Sequence, residues 1–183
     1  MSKQLLRHLP NAFTSLRILL AAPICWLIIE QQYVPVLWLT LLAGISDALD
    51  GMLARRLGVT SRFGAIADPL ADKILLGGAY LSFAVVGLLP WWVALVVLGR
   101  DLFIVAGALF YHWRFGAYEM DPSSWGKFST FVQILFALML LWQQVQPLFP
   151  GQLLLATQYA MVLVAFISAG HYTLVWGSRA RAR

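Results

Sequence analysis

Charge is scarce in this sequence: only 11% of its 183 residues are Asp, Glu, Lys or Arg, whereas 61% are hydrophobic. Together with a mean hydropathy of +0.77, that scarcity excludes an ordinary soluble globular domain and points to an integral membrane protein. Cysteine is nearly missing as well. Cys25 is the only one, so no intramolecular disulfide can form, and its place inside the first apolar run suits a small packed hydrophobe. Internal repeats and low-complexity tracts are lacking, and the length allows about six helices of some 20 residues with short connections. One membrane domain spanning residues 1–183, without a soluble appendage, is the expectation. The first apolar run has no small-x-small cleavage site after it, so it reads as a retained helix rather than a signal peptide. The chain is basic, with a formal net charge of +5 and a pI near 9.7. Its positive residues are scattered among apolar spans and form no nucleic-acid-reading motif, which leaves anionic lipid headgroups as the expected partner and no nucleic acid.

What is present is a series of apolar spans. Residues 1–9 are polar and basic, with Lys3, Arg7 and His8, and suit a short interfacial helix or a frayed end before Pro10. Spans are expected at about Asn11–Ile29, Val34–Leu57, Asp68–Val86, Trp91–Trp113 and Trp125–Trp142, with a last one after the linker Gln143–Gln152 that ends near Trp176. A polar connection covers Gly58–Ala67, a short hinge lies at Gly87–Pro90, and Trp91 and Trp92 suit an aromatic belt. With six spans, every Lys and Arg of the connections and ends falls on one side of the membrane, and the three opposite connections have none. The expected fold is therefore an all-α membrane protein of six transmembrane helices with both termini cytoplasmic.

Against this background four aspartates stand out, Asp47, Asp50, Asp68 and Asp72, in the pattern D-x-x-D-G-x-x-A-R-x(8)-G-x-x-x-D-x-x-x-D. A carboxylate at the centre of a membrane helix costs roughly 2.5 to 3.5 kcal/mol, so four cost on the order of 10 kcal/mol unless something neutralises them. The cluster holds no His or Cys. Its donors are hard oxygens, which suit Mg2+ or Mn2+. On helices, Asp47, Asp50 and Ala54 fall at i, i+3 and i+7, and Asp68 and Asp72 at i and i+4, so each pair shares a face. Two such pairs suit two divalent ions, the arrangement used for displacement at phosphorus. Gly51 and Ala54 leave room for a nucleotide or phosphate, and Arg55 suits a phosphate oxygen; small residues at helix crossings also serve packing alone. Intramembrane acids also occur in cation transporters, but those place broken helices near the midplane in both halves, related by repeat.

Asp47, Asp50, Gly51, Ala54, Arg55, Gly64, Asp68 and Asp72 match the motif of the CDP-alcohol phosphatidyltransferase family position for position. The resemblance continues in Pro10-Asn11-x-x-Thr14-x-x-Arg17 and Asp68-Pro69-x-Ala71-Asp72-Lys73, which are similar to the glycerolipid branch. It implies a six-helix, usually homodimeric protein that moves a phosphatidyl group from CDP-diacylglycerol to an alcohol and releases CMP. It also implies that Asp47, Asp50, Asp68 and Asp72 bind two metal ions and that Asp72 doubles as the base. Gly51, Ala54, Arg55, Ser61 and Gly64, with Asp47, would hold the nucleotide, and Asn11 and Arg17 would lie near the diphosphate. The implied location is the bacterial inner membrane, with the active site facing the cytoplasm.

Two acceptors compete, phosphatidylglycerol, giving cardiolipin, and glycerol 3-phosphate, giving phosphatidylglycerol phosphate. Phosphatidylglycerophosphate synthases carry Arg-Glu on the fourth helix and a further Arg eight residues after the first. Here Arg100-Asp101 is followed at that place by Ala108. The run from Arg100 to Tyr111 and Ser168-Ala169-Gly170-His171-Tyr172 resemble CMP-forming cardiolipin synthases, whereas Gly126-Lys127 resembles the glycerol-phosphate enzymes. Phosphatidylglycerol is the preferred expectation. Lys73, Arg100, Asp101 and Lys127 are the candidate acceptor-binding charges. Lys73 can equally reach the interface, and an Arg100–Asp101 pairing can equally serve helix contacts alone.

Overall fold

The computed structural model describes the backbone of residues 17–57, 62–115 and 124–181 and the side chains of 17–45, 70–111, 113–114 and 124–175. Among these residues there are six helices and no strand: α1 (Arg17–Ile29), α2 (Tyr33–Leu57), α3 (Arg62–Val85), α4 (Trp91–Phe115), α5 (Ser124–Val145) and α6 (Gly151–Arg181). Helix ends follow local chemistry. α1 and α3 both close in a Schellman motif: Gln31 N donates to Ile28 O and Gln32 N to Leu27 O, and Gly87 N donates to Ala84 O and Leu88 N to Phe83 O. The left-handed residue is Gly87 in the second motif (φ 76°) and Gln31 in the first (φ 57°). Pro90 and Pro150 stand just before α4 and α6, and their carbonyls accept from Val93 N and Leu153 N.

Two boundaries differ from the sequence reading. α3 begins at Arg62, not Asp68. Gly58, Gly64 and Pro69 argue for the later start, but Phe63, Ile66 and Leu70 carry the helical period upstream, and the helix takes in Pro69 at the loss of one backbone hydrogen bond. At the other end of the chain α6 runs to Arg181 rather than stopping near Trp176. Nothing at residues 177–181 ends a helix more strongly than a single Gly, and Arg and Ala favour continuing it.

Among the described residues, three helices are long and apolar enough to cross a membrane, at Trp91–Tyr111, Ser124–Val145 and Gly151–Val175. The stretches Arg17–Ile29 and Tyr33–Ile45 are apolar but shorter. α3 has Arg62, Asp68, Asp72 and Lys73 in its first half. Large apolar side chains face outward, among them Leu102, Leu109, Phe110, Leu163, Phe166 and Leu174. That is the reverse of a water-soluble surface and the expected state of helices solvated by lipid.

The chain forms two compact units, Met1–Leu88 and Leu89–Arg183. In the first, Arg17, Ala21, Ile24 and Ile28 make one buried face of α1 at i, i+4, i+7 and i+11. α1 approaches α3 closely, since a Cβ on Gly78 would stand 2.8 Å from Cys25 Sγ. Tyr80 and Phe83 fill the α3 side of this core, edge to face at 6.1 Å between ring centroids. In the second unit α6 packs against both α4 and α5. Its core is built from Val93, Val97 and Ala108 of α4, Phe136 and Leu140 of α5 and Met161 and Ala165 of α6. Trp92, at the start of α4, stacks on Tyr159 of α6.

Candidate active site

α2 runs unbroken through Asp47, Asp50, Gly51, Ala54 and Arg55, and α3 through Gly64, Asp68, Asp72 and Lys73. The backbone therefore supplies the i, i+3, i+7 and i, i+4 placements that put each acid pair on one helix face. Asn11 and Ser61 lie outside the described residues, as do the side chains of Asp47, Asp50, Gly51, Ala54, Arg55, Gly64 and Asp68. Among the described residues no three His, Cys, Asp or Glu side chains come together.

Asp72 is the one acid of the four whose side chain is described, and it is engaged. Arg17 of α1 donates from Nη1 to Asp72 Oδ1 across the first unit. The two partners differ in environment: the Arg17 side chain is 8% exposed and that of Asp72 50%. Arg17 is anchored on the buried face of α1 and from there bonds to a carboxylate that is half-exposed. Lys73 is half-buried on the adjoining position of α3. Arg17, expected near a diphosphate, thus stands beside the residue expected to act as base.

The acceptor candidates of the second unit are arranged differently. Arg100 is buried. It donates from Nη1 to Asp101 Oδ1 at 2.5 Å, and from Nη2 to Gly126 O at 3.1 Å and to Ser168 Oγ at 2.8 Å. One side chain of α4 therefore bonds to both α5 and α6. Lys127 is exposed in the first turn of α5. An open groove of about 260 Å³ lies between α4 and α6; Leu95, Phe103, Ala165 and Phe166 line it, with Arg100 as its charged residue.

Sequence reasoning used Gly126 and Ser168 only as marks of resemblance and named neither as a site residue, although both belong to the Arg100 node. A usable signal was present. Gly126, Ser129 and Gln133 fall at i, i+3 and i+7 on a largely apolar helix, and all three are buried. Polar residues on the inward stripe of a membrane helix mark where another helix brings a polar partner. Ser129 Oγ is buried with no hydrogen-bond partner among the described residues.

The family model described as CDP-alcohol phosphatidyltransferase matches residues 7–170. A probable phosphatidylglycerophosphate synthase of Mycobacterium tuberculosis is 44% identical over 50% of this chain and 42% of its own length. A CDP-diacylglycerol–glycerol-3-phosphate 3-phosphatidyltransferase of Aquifex aeolicus is 34% identical over 67% of this chain and 69% of its own. A probable cardiolipin synthase (CMP-forming) of Drosophila melanogaster is 31% identical over 69% of this chain and 44% of its own. The chain thus spans less than half the length of the mycobacterial and fly relatives and just over two thirds of the Aquifex one. The matched residues 7–170 contain every position of the aspartate motif and both Arg–Asp pairs, and the chain belongs to the CDP-alcohol phosphatidyltransferase family.

Proposed function

We propose that this protein transfers a phosphatidyl group from CDP-diacylglycerol to a glycerol-type alcohol and releases CMP. The observation that carries the reading is the family match across residues 7–170, which includes the complete motif from Asp47 to Asp72. In this reading residues 1–183 make one six-span membrane domain with both termini cytoplasmic, in the bacterial inner membrane, working as a homodimer. The lack of Lys and Arg from three alternate connections supports the orientation.

The acids fit a divalent metal site. All four donors are carboxylates, each pair lies within one helix at single-turn spacing, and Mg2+ and Mn2+ take oxygen ligands of this kind. Asp47, Asp50, Asp68 and Asp72 would hold two such ions, which when bound supply Lewis-acid stabilisation of charge on the incoming oxygen and the leaving phosphate. The nucleotide rests against Asp47, Gly51, Ala54, Arg55, Ser61 and Gly64, small side chains giving room and Arg55 a charge-assisted hydrogen bond. Asn11 and Arg17 lie toward the diphosphate. In the transfer, the acceptor hydroxyl oxygen attacks the phosphorus bearing diacylglycerol, the bond from that phosphorus to CMP breaks, and CMP leaves with the electron pair. Asp72 takes the hydroxyl proton. The half-exposure of its carboxyl group supports that role.

Phosphatidylglycerol is the acceptor of this reading, and position 108 supports it. Ala108 is buried on α4, where glycerol-phosphate enzymes carry an additional cation for a phosphomonoester. Glycerol 3-phosphate is the second reading, favoured by the names of the Mycobacterium and Aquifex relatives and by Gly126-Lys127. Both acceptors are anionic, and Lys127 is the exposed cation assigned to them. Purified protein with CDP-diacylglycerol and Mg2+ or Mn2+ is expected to release CMP with phosphatidylglycerol. Turnover confined to glycerol 3-phosphate would move the assignment to the second reading, and no CMP release with either acceptor would overturn the proposal.

A further inference from the structure

We propose that Arg100 is a positioning residue for the acceptor: it fixes the first turn of α5, which carries Lys127, and does not itself touch the acceptor. The proposal rests on the reading of Lys127 as the acceptor cation. A guanidinium has five N–H donors, and substrate phosphates are held by two adjacent ones used as a fork. In Arg100 that fork is already divided. Nη1 bonds to Asp101, and both donors of Nη2 are engaged, by Gly126 O and Ser168 Oγ. The side chain is 5% exposed and that of Asp101 13%; Nε is buried without a partner among the described residues, and with Nη2 fully engaged no pair of adjacent donors is left to face the groove between α4 and α6.

What the fork does hold is the start of α5. Gly126 O accepts from Arg100 Nη2 and, at 3.2 Å, from Thr130 Oγ1, so two side chains fix the carbonyl that immediately precedes Lys127. Ser168, with no exposed surface, holds Arg100 from the α6 side. The chain of contacts runs from α6 through Ser168 and Arg100 to Gly126 and hence to the backbone of Lys127. Each link lies within the second unit.

A double-mutant cycle on the KM for the acceptor tests this. Lys127→Ala is expected to raise that KM roughly tenfold or more, the loss of one charge-assisted hydrogen bond. Arg100→Lys keeps the charge but loses the fork, and is expected to raise it about threefold to tenfold. With both changes the KM is expected to equal that of Lys127→Ala alone. A further rise in the double variant would show Arg100 in direct contact with the acceptor, and an Arg100→Lys KM like the parent's would show that it positions nothing; either overturns the proposal. Should Arg100→Lys fail to fold, Ser168→Ala is expected to raise the acceptor KM and Ser168→Thr, which keeps the hydroxyl, to restore it. Equal KM values for the two Ser168 variants would be equally fatal. If the parent protein turns over no acceptor, the transferase reading fails by itself, and amide exchange decides the clamp: exchange at Thr130 is expected to quicken in Arg100→Lys, and unchanged exchange rejects it.

Discussion

Two Arg–Asp pairs divide the work of this molecule. In the first unit Arg17 is buried on α1 and its partner Asp72 is half-exposed; in the second, both Arg100 and Asp101 are largely enclosed. The same two functional groups meet in each case, yet their surroundings differ, and the proposed function gives them opposite uses. A half-exposed carboxylate can still be reached by solvent or a ligand, while Arg100 of the enclosed pair has exchanged hydration for bonds to α5 and α6. Solvent access, more than residue type, separates a chemical pair from a structural one.

Substitutions can break this contrast. The largest effect is expected for Asp72→Asn, which keeps the shape but removes the base: CMP release should fall by about a thousandfold, within the usual range for loss of a general base, with thermal unfolding in detergent little changed. An equal loss of stability and activity would make Asp72 no different from Asp101. Asp101→Leu should show the reverse, leaving the Arg100 guanidinium buried without its carboxylate at a cost of about 3 kcal/mol, read as a lowered unfolding midpoint. Asp101→Leu combined with Arg100→Met should regain most of that midpoint, because an apolar replacement of a buried pair is tolerated. Recovery would sharpen the assignment of this pair to structure, and a midpoint as low as that of Asp101→Leu would refute it. The smallest effects concern the two Schellman motifs. Gly87→Ala should destabilise by about 1 kcal/mol and Gln31→Gly should stabilise by a similar amount, since both act on a left-handed residue; urea or thermal midpoints that move in one direction for both would contradict the shared motif.

Much of the architecture was legible in the sequence, for reasons that differ along the chain. α4 was readable because an apolar run lies between Pro90 and a polar stretch, and α2 because its apolar period continues through the acids. The start of α3 was not, since Gly64 and Pro69 read as breakers while the apolar period at Phe63, Ile66 and Leu70 runs through them. For the site, spacing alone placed Asp47 with Asp50 and Asp68 with Asp72, because the helix repeat converts spacing into a shared face. Spacing carries no such information about Arg17 and Asp72, which are 55 residues apart, or about Arg100 and Ser168, 68 apart. Those partners are fixed by how helices pack, and a sequence shows only that each is a polar residue in apolar company.

One small device at the end of α5 has a consequence for how the protein is made. Gln143 donates through Nε2 to Phe149 O and accepts at Oε1 from Leu148 N and Phe149 N. A single side-chain amide thus serves as a stand-in for water along the turn between α5 and α6. During insertion such a turn has to pass through hydrocarbon, where each unsatisfied backbone group costs several kcal/mol. In the proposed topology, a turn that brings its own hydrogen-bond partners, and has no Lys, Arg, Asp or Glu from Gln143 to Gln152, would cross that layer with fewer unsatisfied groups.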